Sequence, residues 1–105
     1  MTHPLNEVFE DAVGQAAEGK GQERHGMGQD FYEQKWVRLA KAHGIGFLTG
    51  QAQKKLEEAM NYWHLNQKET TVSSEWWERE MLGALNYMAM AVLFERNIKN
   101  GSKGI

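Results

Sequence analysis

The residues able to do chemistry fall in three places. Glu57, Glu58, Glu75, Glu78 and Glu80 place carboxylates on two neighbouring stretches, and Glu75-Trp-Trp-Glu78 has the i, i+3 spacing that puts two acids on one helical face. Gln51, Lys54, Lys55 and Glu58 are three, four and seven apart, so a helix would present them on one side, behind Gly50. Such a face, near a helix N-terminus, could read an acidic or phosphorylated ligand; it could equally be a solvated face with intrahelical ion pairs. Lys20, Arg24 and His25 stand in the glycine-spaced segment Gly19 to Gln29. Backbone N–H groups there could wrap an anion, although the segment lacks the Gly-Lys-Ser/Thr ending of a Walker A loop and also suits a flexible linker.

All-α nucleotide pyrophosphohydrolases of the MazG type hold magnesium with Glu-x-x-Glu on one helix and Glu-x-x-Asp on the next. Glu75 and Glu78 resemble the first motif. The second is missing, because after Glu80 the chain offers Asn86 and no Asp, and Glu57 and Glu58 are adjacent and point about 100° apart on a helix. The four histidines form no His-x-x-His or His-x3-His pair, and the chain has no Cys. Neither a helical zinc site nor a thiolate site or thiol nucleophile is therefore indicated. No catalytic residue, metal or cofactor is expected. Glu80 and Asn86 sit among apolar neighbours, where an unpaired polar group costs a few kcal/mol. They are expected to pair with Lys54, Lys55 or Arg24, to mark a ligand site, or to mark a subunit interface.

These residues need elements to position them. The chain's 105 residues make one domain (1–105), and its only proline, Pro4, leaves everything after it free to be helical. Leu5, Val8, Phe9, Ala12, Val13 and Ala16 recur with helical period, predicting a first helix over 4–18. Residues 19–29 read as a Gly-rich loop. Asp30 and Glu33 have capping-box spacing for a second helix, and Gly44 suits its C-terminal cap. Gly46 to Gly50 reads as a connection, with Thr49 as N-cap of a third helix over about 50–66. The buried stripe of that helix is expected to be Ala52, Leu56, Ala59, Met60 and Trp63. Ser73 or Ser74 then caps a fourth helix reaching about Lys99, on the order of 36 Å long. Its apolar residues (Trp76, Trp77, Met81, Leu82, Leu85, Met88, Val92 and Phe94 among them) cover most of its circumference, so it is expected to be enclosed on several sides. Residues 100–105 read as a flexible tail. The fold expected is an all-α bundle of about four helices with a long apolar C-terminal helix.

Charge and composition narrow the partners. Net charge is −2. Residues 1–19 carry Glu7, Glu10, Asp11 and Glu18 with no Lys or Arg, whereas residues 20–55 hold seven bases against three acids. That central excess attracts small anions but is far short of a duplex DNA footprint. The N-terminus lacks the basic and apolar regions of a secretory signal. The uncharged stretch Leu82–Phe94 is too short to span a bilayer, so no membrane is expected. The aromatic load and the apolar last helix call for a homo-oligomer, a dimer or higher.

Three segments together, Gly19-Lys-Gly-Gln-Glu-Arg-His-Gly26, Gly44-Ile-Gly-Phe-Leu-Thr-Gly-Gln-Ala-Gln-Lys-Lys55 and Met81-Leu-Gly-Ala-Leu-Asn-Tyr-Met-Ala89, resemble small proteins of tailed phages and prophages. The resemblance covers residues 19–95. It implies a viral or prophage origin and a host cytoplasm, and it implies no chemistry. Two functional expectations follow. One is an accessory binding protein without catalysis, directed at a host protein or a small anionic ligand such as a defence signal. The other is a nucleotide-binding or MazG-like protein using Lys20, Arg24, Lys54 and Lys55 for phosphate and the glutamates for a cation.

Overall fold

The computed structural model describes residues 3–17, 30–68 and 74–98. The fold is all-α, a small bundle of four helices: α1 (Leu5–Ala17), α2 (Lys35–His43), α3 (Gly46–Lys68) and α4 (Ser74–Asn97). There is no strand among the described residues. The expected Gly-rich loop (19–29) and C-terminal tail (100–105) lie outside them.

α3 and α4 form the frame. Trp63 packs against Trp77 and Tyr62 against Trp76 with tilted rings, both with ring centroids 5.6 Å apart, while Lys55, earlier in α3, meets Gly83, later in α4. The two helices are therefore antiparallel. Leu82, Gly83 and Met90 of α4 are buried, and along the facing sides the enclosed residues are Leu48, Ala52, Lys55, Ala59 and Tyr62 of α3 and Glu80, Ala84, Tyr87, Ala91 and Phe94 of α4. Both sets step by alternating fours and threes, the spacing that keeps one helical seam on its neighbour. Lys55, Glu80 and four alanines occupy this seam, so a search for large apolar heptads does not reveal it.

The expected α3 stripe is thus corrected by a rotation. Ala52 and Ala59 are buried as predicted, but Leu56, Met60 and Trp63 are 37%, 50% and 44% exposed, and Lys55 has turned inward instead. α4 is enclosed in part, by α3, α1 and the core around Trp36, but its remaining side is open: Trp76, Met88 and Val92 are exposed.

Helix boundaries differ where apolar burial outweighs capping. Thr49 is not an N-cap. Phe47 is half-buried and Leu48 fully buried, so α3 starts at Gly46, and the Thr49 hydroxyl bonds back to the Ile45 carbonyl at 3.4 Å. Asp30 makes no side-chain cap; it precedes a short 3-10 turn, Phe31–Glu33, and α2 starts after Gln34. That turn leaves the Phe31 carbonyl to accept the indole N–H of Trp36 at 2.9 Å. Trp36, at 0% exposure, centres a core with Val37, Ala40, Leu48, Met90, Phe94 and Ile98. Tyr32 Oη, 3.2 Å from Asn97 Nδ2, ties the turn to the end of α4. Gly44 ends α2 as expected, with φ 81° and its N–H on the Ala40 carbonyl.

α1 lies antiparallel on α4. Asn86 Nδ2 donates to the Ala12 carbonyl at 2.8 Å, and Gln15 Nε2 to the Arg79 carbonyl at 3.0 Å. The apolar face predicted for α1 is not buried as a whole. Only Ala12 is buried, whereas Leu5, Val8, Phe9 and Val13 are exposed.

Candidate functional site

The predicted site residues separate into three groups. Lys20, Arg24 and His25 lie outside the described residues. Lys54 is exposed, and Gln51, one turn before Lys55, is half-buried. Lys55, Glu58 and Glu80 come together, with Asn86 two turns further along α4.

At the centre, Lys55 Nζ is 3.3 Å from Glu80 Oε2, and the two side chains keep only 15% and 13% of their exposure. Glu80 Oε2 is enclosed and accepts no well-aligned hydrogen bond. Burial, acting first, and a hydrogen bond with the Glu58 carboxyl push the Glu80 pKa up; the Lys55 ammonium pulls it down without cancelling the rise. Two carboxyls in contact favour keeping one proton between them.

Gly83 makes room for this pair. A Cβ added there would meet Lys55 Cδ at 3.3 Å, closer than is comfortable, so the lysine stem lies along the bare glycine backbone. Sequence reasoning missed Gly83, although an isolated glycine inside a helical pattern signals a close packing neighbour. Asn86 does not join the pair. Its amide is engaged with α1 through Ala12, so it secures a helix contact.

A raised carboxyl beside a lysine can hold or pass a proton. Here both groups sit in the α3–α4 seam, and each is committed to the other. Glu57, Glu75 and Glu78 are exposed, and among the described residues no set of three His, Cys, Asp or Glu side chains is grouped to hold a metal ion. A shallow cleft of 530 Å³, lined by Ala40, Lys41, Gly44, Ile45, Phe94, Glu95 and Ile98, opens some 15 residues along α4 from Glu80, about 22 Å away. None of the predicted site residues lines it. Among the described residues no helix is long and apolar enough to cross a membrane.

Neither known protein families, nor curated proteins, nor solved structures match this chain.

Proposed function

We propose that the chain is a small accessory binding protein of the kind tailed phages carry, acting in the host cytoplasm as a homo-oligomer and occupying a host protein without catalysis. The observation that carries this reading is α1. Leu5, Val8, Phe9 and Val13 leave an apolar stripe in solvent, and the exposed Glu7, Glu10 and Asp11 accompany it with no Lys or Arg on the helix. An amphipathic helix of this kind fits an apolar groove with a basic rim. The titratable groups that do converge are spent on one another.

The test is capture of a defined host protein by the full chain, reconstituted with both components purified. Val8→Glu and Phe9→Glu are expected to abolish it while helical content stays unchanged. Capture that survives both substitutions would contradict the reading.

The alternative is nucleotide binding or MazG-like hydrolysis, and the raised Glu80 carboxyl beside Lys55 is the observation in its favour. Thermal-shift screening with nucleotides and cyclic nucleotides, with and without magnesium, separates the two. A shift with turnover would replace the binding reading.

A further inference from the structure

The α3–α4 hairpin has a second face that is left uncovered among the described residues. On α3, Leu56, Met60 and Trp63 follow one another by four and three; on α4, Trp77, Met81, Leu85, Met88 and Val92 step by four, four, three and four. The Trp63–Trp77 contact joins the two rows into one surface. Leu56, Met60, Trp63, Met88 and Val92 are 37–50% exposed, and Trp77, Met81 and Leu85 are half-buried. No charged residue falls within either row.

We propose that this face binds a second copy of the chain, closing a four-helix bundle. Size supports that occupant. Taking about 150–250 Å² for a whole aromatic side chain and somewhat less for an aliphatic one, the exposed fractions amount to roughly 600 Å² of apolar surface per copy. A stable pair buries about 800 Å² per partner, polar rim included, and an apolar patch this large is at the upper limit for a monomer. Charge supports it as well. Identical faces brought together oppose no like charges, because the rows contain none. The α4 charges flanking the row at either end, Glu78, Glu95 and Arg96, are on balance acidic and disfavour an anionic lipid surface. Geometry completes the case. A two-fold axis along the helices lays each α3 over the α4 of the other copy in the antiparallel sense, repeating between copies the arrangement already present within one.

This inference deepens the oligomeric part of the proposed function and leaves the α1 stripe free for another protein. A dimer that captures no host protein would sink only the host-partner reading. A monomer that still captures one through α1 would sink this inference and the oligomeric part of that reading, and leave the host-partner reading standing.

The test is size-exclusion chromatography with light scattering on the full chain at low micromolar concentration. The expected mass is twice 12.0 kDa. Met60→Glu and Met88→Glu, at exposed positions on different helices, are expected to give monomers with unchanged helical circular dichroism, and Val8→Glu on α1 is expected to remain dimeric. A monomeric wild-type chain would overturn the proposal, including one that binds phosphatidylserine vesicles through Met88. A dimer that survives both face substitutions would also overturn it. A monomeric wild type overturns the proposal even if a variant fails to fold; where the wild type is dimeric and a variant fails to fold, Val92→Glu, exposed on the same face, replaces it.

Discussion

Lys55 Nζ lies 3.3 Å from Glu80 Oε2, within a helical seam whose other positions are alanine, leucine, tyrosine and phenylalanine. A charged pair costs desolvation that apolar residues would avoid. Its position has a structural consequence, because sliding α3 by one turn along α4 would leave both charges against apolar neighbours. Fixing the register of the hairpin is the role this placement supports.

Removing one partner is therefore worse than removing both. Lys55→Met leaves the Glu80 carboxyl beside Glu58 with no cation and is expected to destabilise the chain by about 1–3 kcal/mol at neutral pH. The double variant Lys55→Met, Glu80→Leu is expected to recover that loss. Urea unfolding of the three proteins checks the order; a double variant less stable than Lys55→Met would refute it.

The same pair sets a pH dependence. Because the Glu80 pKa is raised above its ordinary 4.5, the folded chain holds that proton more tightly than the unfolded one. The resulting stabilisation is full below 4.5 and is lost as pH rises through the folded value. Glu80→Gln lacks this slope, so its stability relative to wild type is expected to rise with pH across that window. Parallel thermal melts on both proteins measure it.

Gly44 combines φ 81° with ψ −179°, a region open essentially to glycine alone. Gly44→Ala is expected to cost about 1–3 kcal/mol even though an added Cβ would meet nothing within 4 Å. Asn tolerates the left-handed helical region but not this ψ, so Gly44→Asn is expected to be no better. Melting temperatures of the two variants decide.

Asn86 holds α1 to α4 through the Ala12 carbonyl. Asn86→Ala is expected to cost about 1 kcal/mol and to speed amide exchange in α1 while α3 and α4 stay protected. Uniformly faster exchange across all helices would contradict a local tether.

Sequence periodicity and glycine caps locate the helices well. α1 over 4–18 is found at Leu5–Ala17, Gly44 ends α2, and α4 begins at Ser74. What periodicity misses is rotation. Ala52 and Ala59 belong to two overlapping stripes of α3, one with Leu56 and Trp63 and one with Lys55 and Tyr62. Hydrophobicity favours the first, but packing against α4 selects the second, which contains the ion pair. The same limit applies to the candidate site. Lys55, Glu58 and Glu80 can be chosen from the sequence as chemically able residues, and Glu80 as one needing a partner. Their enclosure depends on Gly83 and on the turn of α3, neither of which the spacing of charges reveals. Thr49 and Asp30 misled because a capping residue matters only if the helix starts there, and burial of Leu48 and Trp36 fixed the starts elsewhere.

We propose that the convergence of able residues found among the described ones, Lys55 with Glu80 and Glu58, is structural and not a ligand site. Carboxyl-selective NMR of Glu80 and of the Lys55 ammonium, titrated with nucleotides and cyclic nucleotides with and without magnesium, tests it most directly. The Glu80 signal is predicted to respond to pH, and both signals to stay fixed on addition of every nucleotide. A saturable shift of either signal at constant pH would contradict the account.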